Sequence, residues 1–331
     1  MSRWSLVFIV ALTACGGSPK ATTPPSPLPG ESKPEPVGEA KPPAEEKPAE
    51  PAEPPKPAGP LDVSIAAATT TVKLVSPGKG KRTALHYTAK AGDKQQLEIA
   101  LDFTEKHVAP AELGGSDENV LPTIVLVADA EAKTADKDGA EFALGVTSTD
   151  VRPVAAAKVP VDKLKMALQG LVGMTIGGKV AANGTAGEIK LHLEKPDEAG
   201  PQLLDMVRYT LPPFPTLPAE PIGVGAKWQA TTTTKVMDQV SVTQVTDYEL
   251  VGHKGTTWTI KGTTKVTGAD QEMKGSKVSG ITGTGTSEAT LVDGTLYPTY
   301  KSALETSFTA AEGDKAITFS FKVGGAITPK K

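Results

Sequence analysis

The chain has 331 residues, of which 38% are hydrophobic and 22% are charged, and its formal net charge is -3. That length suits one or two domains, and a chain without a basic excess is a poor candidate for nucleic-acid binding, which needs positive charge to neutralise phosphates. A single cysteine excludes a disulfide framework and a thiolate-rich zinc site. With seven Phe, five Tyr and three Trp, the chain has few aromatic platforms for stacking sugars or bases.

Residues 1–14 have the layout of an export signal. Arg3 supplies the positive charge, and the apolar run that follows is too short to cross about 30 Å of hydrocarbon, which needs roughly 20 apolar residues. The run ends in four residues that resemble the bacterial lipobox: Leu12, Thr13, Ala14 and Cys15. The resemblance implies cleavage before Cys15, a diacylglyceryl group on its sulfur and a further acyl chain on its amino group. The alternatives are an ordinary secretory signal with an incidental cysteine and a short N-terminal helix.

Acylation of Cys15 would place the protein on a membrane, because two or more acyl chains are enough for stable anchoring. Gly16 stands where an aspartate would signal retention in the inner membrane. By resemblance to that sorting rule, we expect an anchor in the outer membrane and a body in the periplasm or at the cell surface.

Residues 15–60 form a tether rich in Pro, Glu, Lys and Ala, and from residue 18 onward they contain no aromatic side chain. Such a segment buries too little apolar surface to offset the entropy of ordering it, so we predict disorder. Fully extended in the polyproline II conformation, its 43 residues from 18 to 60 would reach on the order of 130 Å. It would act as a spacer or as a passive linker.

The body, residues 61–331, alternates apolar and polar residues as half-buried strands do. In its first half we predict the strands Val63–Val75, Thr83–Ala89, Gln96–Thr104, Thr123–Ala128 and Phe142–Thr149. In the second half we predict Trp228–Met237, Gln239–Leu250, Thr256–Thr267, Ser287–Val292, Thr295–Phe308 and Ala316–Val323.

Two segments of the body have helical periodicity instead. The first has its apolar residues on one face and begins after Pro160: Val161, Leu164, Leu168 and Leu171. A shorter helix around Leu203, Leu204 and Val207 follows Pro201. Between the two helices, the turn Ala182-Asn183-Gly184 predicts a hairpin of Met174–Ala181 with Glu188–Leu193. We therefore expect an α+β fold of mainly antiparallel β structure: a curved sheet or half-barrel with one or two packed helices.

A duplication of the body is left open by the sequence. Residues of the window that starts at Gly80 recur 145 positions later, in the window that starts at Gly225, and both windows could be the opening hairpin of two similar half-sheets. The sub-boundary would then lie near residues 211–222.

The same region resembles a known family. The segments Pro213-Phe214-Pro215-Thr216-Leu217-Pro218 and Pro221-Ile222-Gly223-Val224-Gly225-Ala226-Lys227-Trp228 look like the start of the C-terminal sheet in an uncharacterised family of secreted bacterial lipoproteins. The resemblance covers roughly residues 170–310 and implies a fold but no activity. In layout the body is distantly similar to the periplasmic lipoprotein carriers, whose curved sheets shelter acyl chains.

No catalytic constellation is readable from the sequence, and we expect no catalytic residue. Ser76-Pro77-Gly78-Lys79 has the spacing of penicillin-recognising enzymes, but its Pro and Gly favour a turn over the required helix. Gly280, Gly283 and Gly285 are not followed by the Lys-Ser or Lys-Thr pair of a phosphate-binding loop, so we predict a flexible hairpin loop.

Metal and cofactor sites are not expected either. Asp136, Asp138 and Gly139 match only part of a calcium loop, so we predict an acidic turn. His192 and Glu194 share one face of a predicted strand but lack further ligands for zinc. Trp228 and Trp258 are assigned to the core.

These features predict a membrane-anchored envelope lipoprotein with a non-enzymatic β-rich domain that binds a protein partner or an apolar ligand. The alternatives are a structural role in envelope maintenance and, less favoured, an enzyme whose site assembles from distant positions.

Overall fold

The computed structural model describes residues 59–211, 214–236, 239–313 and 315–330. The export signal, the lipobox Leu12, Thr13, Ala14 and Cys15, and the tether up to residue 58 lie outside the described residues, so their predictions stay untested. In the described part of the chain, neither helix has the length and apolar character needed to cross a membrane.

Strands are the main regular structure of the described body. In the first half they are β1 (Leu61–Ile65), β2 (Thr69–Ser76), β3 (Lys79–Thr83), β4 (Lys94–Val108), β5 (Asp117–Val120), β6 (Thr123–Asp136), β7 (Gly139–Arg152), β8 (Thr175–Ala181) and β9 (Ala186–Leu193). In the second half they are β10 (Ile222–Val224), β11 (Lys227–Val236), β12 (Val240–Lys254), β13 (Thr257–Thr267), β14 (Gln271–Met273), β15 (Ser276–Val292), β16 (Thr299–Glu312) and β17 (Lys315–Pro329). The helices are α1 (Val161–Leu168) and α2 (Gly200–Thr210), with single 3₁₀ turns at Ala111–Leu113 and Gln169–Leu171.

One antiparallel sheet contains fifteen of these strands, in the order β1-β9-β8-β7-β6-β4-β17-β16-β15-β13-β12-β11-β2, with β5 beside β4 and β14 beside β15. It consists of two consecutive meanders. The first meander is β4, β6, β7, β8 and β9, and the second is β11, β12, β13, β15, β16 and β17. The segment between them contains α2 and β10, and β17 pairs with β4 to join the two meanders into one sheet. The remaining strands, β3 and β10, pair with each other.

The sheet is strongly curved. Its two edge strands, β1 and β2, are consecutive in the chain and separated only by residues 66–68. The Cα atoms of Ile65 and Thr69 can therefore be at most about 14 Å apart. Laid flat, the thirteen strands of the path would be spread over roughly 58 Å, so the sheet must curl until its edges approach. No ladder joins β1 to β2, and the sheet stays open, which confirms the predicted curved, mainly antiparallel α+β fold.

The concave face carries the core. Side chains from non-neighbouring strands, such as Leu126 of β6 and Trp228 of β11, belong to one buried cluster together with Leu168 of α1 and Leu204 of α2. We call this face the inner face. Both predicted helices are confirmed, and each packs an apolar stripe onto it; α2 contacts β1, β4, β9 and β17.

Most predicted strands and the β8–β9 hairpin are confirmed. In the turn of that hairpin, the Asn183 Oδ1 accepts a hydrogen bond of 3.0 Å from the Thr185 backbone N–H. The single strand predicted over Val63–Val75 is instead split into β1 and β2, because the chain passes from one edge of the sheet to the other at residues 66–68.

The strand predicted over Thr83–Ala89 is wrong, since β3 ends at Thr83 and residues 84–93 are irregular. The segment is held by isolated contacts: the Tyr87 N–H donates to the Ala182 carbonyl at 2.8 Å, and its hydroxyl donates to the Pro215 carbonyl at 2.9 Å. The two windows related by 145 residues also do not form equivalent hairpins. β3 pairs with β10, whereas β11 pairs with β12.

The flexible loop predicted at Gly280, Gly283 and Gly285 is also wrong, because all three lie within β15. Gly280 has a φ of 64° at a bulge in the β15–β16 pairing. At Gly283 and Gly285 an added Cβ would lie 2.7 Å from a backbone oxygen of β16. These glycines therefore allow neighbouring strands to approach closely, rather than making the segment flexible.

Candidate binding surface on the inner face of the sheet

The two tryptophans assigned to the core are buried there. Trp228 stacks on Tyr248 with ring centroids 5.5 Å apart, and its Nε1 donates a 2.7 Å hydrogen bond to the Thr216 carbonyl. Trp258 stacks on the His253 ring. Both side chains act as structural elements of the second meander.

The partial calcium and serine motifs are turns, as predicted. Asp136 closes the β6–β7 hairpin, where its Oδ1 accepts hydrogen bonds from the backbone N–H groups of Asp138 and Gly139 at 2.8 and 3.1 Å. Ser76-Pro77-Gly78-Lys79 connects β2 to β3. Its Gly78 has a φ of 76° and packs against the backbone of Gly223, leaving no room for a Cβ.

His192 and Glu194 are brought together with a residue that the sequence did not indicate. The His192 ring bridges Asp62 of β1, at 2.9 Å from Nδ1, and Glu194, at 3.0 Å from Nε2. Hydrogen bonds from the protonated ring to Asp62, and then to Glu194, raise the pKa of His192. Among the described residues, no group of three His, Cys, Asp or Glu side chains could hold a metal ion.

The inner face of the second meander changes character along its strands. Close to the helices it is aliphatic and aromatic, and beyond them it carries a row of hydroxyl side chains. We call this row the threonine belt. It comprises five threonines and two serines: Thr70, Thr232, Thr246, Thr264, Ser287, Ser302 and Thr306. Two cross-strand pairs within it are hydrogen-bonded at 3.0 Å, Thr70 with Thr232 and Thr246 with Thr264.

Farther from the helices than part of the belt, the inner face carries a phenylalanine cluster of Phe103, Phe308, Phe319 and Phe321. Their strands, β4, β16 and β17, are neighbours, and the register places the four rings on the inner face. Ring centroids are separated by 5.5 Å between Phe308 and Phe319, 6.0 Å between Phe308 and Phe321, and 6.2 Å between Phe103 and Phe321. Three of the rings are partly exposed, whereas Phe319 is buried.

The phenylalanine cluster continues into a second, smaller apolar cluster. Its buried members come from β12, β13 and β15: Val240, Val242, Val266, Val278 and Ile281. Phe308 and Leu304 pack against it from β16. The apolar surface therefore extends over several strands of the second meander, at the end remote from the helices.

A carboxyl group lies inside this apolar surface. Glu105 is directly opposite Phe321 in the β4–β17 register, two residues after Phe103, and its residue is only 9% exposed. Within the described chain it has neither a hydrogen-bond partner nor an ion-pair partner. Burial raises the pKa of Glu105 to about 7, because the charged form loses its hydration. A buried, unpaired carboxyl of this kind is a feature typical of functional sites.

An open pocket of about 390 Å³ lies where β5 borders β4, lined by residues that include Lys106, Asp117, Glu118 and Lys158. Its charges are balanced, and Lys158 pairs with Asp117 at 2.6 Å. Among its lining residues there is neither an aromatic ring nor a buried carboxyl, in contrast to the inner face.

The sequence alone did not reveal the phenylalanine cluster or Glu105. Phe103, Glu105 and His107 alternate on one strand face, which was a usable signal, but the predicted strand ended at Thr104. Phe319 and Phe321 lie more than 200 residues away, and nothing in the local pattern reveals that β17 pairs with β4.

Comparisons of the chain with known protein families, with curated proteins and with solved structures found no match. The resemblance to secreted lipoproteins therefore stays a prediction.

Proposed function

We propose that this chain is a membrane-anchored envelope lipoprotein that binds an apolar ligand, without catalysing a reaction. The anchor is the acylated Cys15, with the outer membrane as its destination and the body in the periplasm or at the cell surface. The observation that carries the binding role is the partly exposed phenylalanine cluster on the inner face of the sheet.

The location of the apolar area supports this binding role. Soluble domains bury large aromatic side chains, and a contiguous apolar surface left partly open is typical of a binding site. Here three phenylalanine rings and the adjoining aliphatic cluster lie on a concave surface, which can enclose a chain-like ligand on more than one side. The hydroxyl groups of the threonine belt border this surface and could contact the polar end of an amphipathic ligand.

Binding can be tested with 1-decanol, a neutral probe with one alkyl chain. The full chain carrying Cys15→Ser avoids competition from its own acyl groups, and calorimetry would measure the affinity. We expect the double variant Phe308→Ala with Phe321→Ala to bind decanol at least about tenfold more weakly, since each ring buries apolar area worth about 1 kcal/mol or more against the ligand.

A matched control is Met166→Ala on α1, because Met166 is 69% exposed and lies outside the phenylalanine cluster. This variant should bind decanol within about twofold of the parent, as it leaves the inner face intact. Equal affinities for all three proteins, or no binding at all, would contradict the proposed binding surface.

The anchor has its own test. Cys15→Ala, or globomycin treatment of the cells, should leave the signal uncleaved, and the parent protein should carry the mass of its acyl chains on Cys15. A mature parent with an unmodified thiol in the soluble fraction would refute the anchor without affecting the binding surface.

A protein partner is the second candidate occupant. It is favoured by the open edges of the sheet, since among the described strands none pairs with the outer side of β1 or β2. Unpaired strand edges can accept an added strand from another chain.

A further inference from the structure

The geometry points to a specific ligand class for the inner face: an amphipathic molecule whose apolar chain lies on the phenylalanine cluster and whose cationic amine group pairs with the Glu105 carboxylate. This inference rests on the proposed function and adds to it the charge of the ligand. Nothing in the composition of the chain, which is mildly acidic overall, specifies that charge.

Glu105 has no charged partner in the described part of the chain. A buried carboxylate is ordinarily paired, because an unpaired charge in an apolar environment is costly. Glu105 is opposite Phe321 on β17 and opposite Asn119 on β5, and neither of these neighbours carries a charge. A cationic group delivered by a ligand would supply the missing partner.

The charged groups around Glu105 do not pair with it in the described part of the chain. On its own strand, His107 shares the inner face, and Asp117 of β5 lies opposite His107 but is already paired with Lys158 at 2.6 Å. On β17 the inner-face neighbours are Phe319, Phe321 and Val323. The helix α2, which also packs on β4 and β17, carries Asp205 and Arg208, with 4.0 Å between their charged atoms.

Aromatic rings lie beside the carboxyl group. Phe103 and Phe321 lie on the same face as Glu105, with their ring centroids 6.2 Å apart. The faces of aromatic rings attract cations, and a carboxylate combined with aromatic rings is a recurrent arrangement for binding ammonium groups. The same rings provide the apolar contact for the alkyl chain attached to the amine. Charge and apolar area are therefore presented together, as an alkylamine requires.

The experiment compares two probes with the same alkyl chain, decylammonium and 1-decanol, on the full chain with Cys15→Ser. At pH 8 we expect decylammonium to bind about tenfold more tightly than decanol, as a charge-assisted hydrogen bond would give. In the Glu105→Gln variant this preference should fall to within about twofold, while decanol binding is retained. The control Glu118→Gln removes an exposed carboxylate of β5 from the opposite face and should keep the preference.

The pH dependence of the parent protein provides a test without substitution. The pKa of Glu105 is raised to about 7, so its carboxylate forms mainly between pH 6 and pH 8. Decylammonium stays protonated over this range, and its affinity should rise by up to about tenfold, whereas the affinity of decanol should not rise.

The outcomes separate the two proposals. If both probes bind the parent equally, or if Glu105→Gln keeps the preference, the amine inference is wrong and the apolar binding surface stands. If neither probe binds the parent, both proposals are wrong. If decylammonium alone depends on Glu105 and on pH, the amine-bearing ligand class is supported.

Discussion

The two meanders use their inner faces differently. In the first, β8 and β9 have 7 and 8 residues, and helices follow β7 and β9, so α1 and α2 cover the inner face. In the second, β15, β16 and β17 have 17, 14 and 15 residues and are connected without helices. At about 3.3 Å per residue the longer strands extend to roughly twice the length of the shorter ones. The short strands and the helices of the first meander thus complete the core. The second meander has inner surface beyond the helices, and this surface continues onto β4, the 15-residue strand of the first meander that pairs with β17.

This difference places stability and binding in separate parts of one sheet. The helices fill the aliphatic end, where Leu168 and Leu204 are fully buried. The other end carries the threonine belt, the phenylalanine cluster and the unpaired Glu105. If the inner face were covered by core packing along its whole length, it would have neither partly exposed phenylalanine rings nor a carboxyl group with a raised pKa.

The largest expected effect on stability comes from truncating a side chain at the helix-covered end of the sheet. Leu204→Ala should lower the free energy of unfolding by about 4 kcal/mol, because Leu204 is completely buried and its truncation leaves a cavity. Phe321→Ala should cost only about 1 to 2 kcal/mol, since its ring is partly exposed. Urea denaturation would measure both. If Phe321→Ala cost as much as Leu204→Ala, the phenylalanine cluster would be ordinary core, and the proposed separation would fail.

The second effect is the pH dependence of stability that Glu105 introduces. Its pKa is about 7 in the folded protein against 4.5 for the unperturbed group, so the folded state holds the proton more tightly than the unfolded state. Stability should therefore fall as the pH rises from 4.5 to 7, by about 1 to 2 kcal/mol once screening by solvent is allowed for, and change little from this source above pH 7. Unfolding measured at pH 5 and pH 8 would reveal it.

Glu105→Gln isolates this contribution, since an amide does not titrate. The variant should lose the fall in stability between pH 5 and pH 8, and Glu118→Gln should retain it. A Glu105→Gln protein with the same pH profile as the parent would show that the carboxyl is hydrated in the folded state.

Substitution of two glycines, one in each meander, allows the strand packing of the two meanders to be compared directly. At Gly283 of β15 an added Cβ would lie 2.7 Å from both the Glu305 carbonyl oxygen and the Thr306 side chain, whereas at Gly145 of β7 it would meet nothing within 4 Å. Gly283→Ala should therefore destabilise by about 1 to 2 kcal/mol through forced shifts of β16. Gly145→Ala should be neutral, or stabilise by about 0.5 kcal/mol by restricting the unfolded chain. Thermal unfolding would measure the stability of both variants. Equal losses of stability would contradict the close strand approach in the second meander.

Local features of the fold were readable from the sequence because their causes are local. The stripe Val161, Leu164 and Leu168 has helical spacing, and Asn183-Gly184 is a turn by its own backbone preferences. Alternation located most of the strands. The glycines of β15 were misread as a loop, since their role depends on how closely β16 approaches.

The candidate binding surface was hidden for a different reason. It arises where β17 meets β4, which places Phe321 opposite Glu105 across more than 200 residues of sequence. Without that register, Glu105 is one of many glutamates in an acidic chain. The lipobox, by contrast, is a contiguous motif, so Cys15 could be singled out from the sequence alone.

The smallest expected effect concerns the outer side of the first meander, where β1 is an edge strand of five residues paired only with β9. His192 of β9 links Asp62 of β1 to Glu194, and hydrogen bonds to these two carboxylates raise the pKa of His192. The protonated ring therefore favours the folded pairing. This contribution is fully present below the pKa of about 6.5 of a free histidine, and it is lost as the pH rises through the higher pKa of the folded state.

Amide hydrogen exchange of β1, corrected for the intrinsic effect of pH, should show greater protection at pH 6 than at pH 8. In His192→Gln the corrected protection should be equal at the two pH values, while the exchange of β16 in the second meander should not respond to the substitution. Because the ring is exposed to solvent, the change should be confined to β1 and should weaken at high salt. Protection of β1 that was independent of pH in the parent would show that backbone pairing with β9, and not the histidine, holds this edge of the sheet.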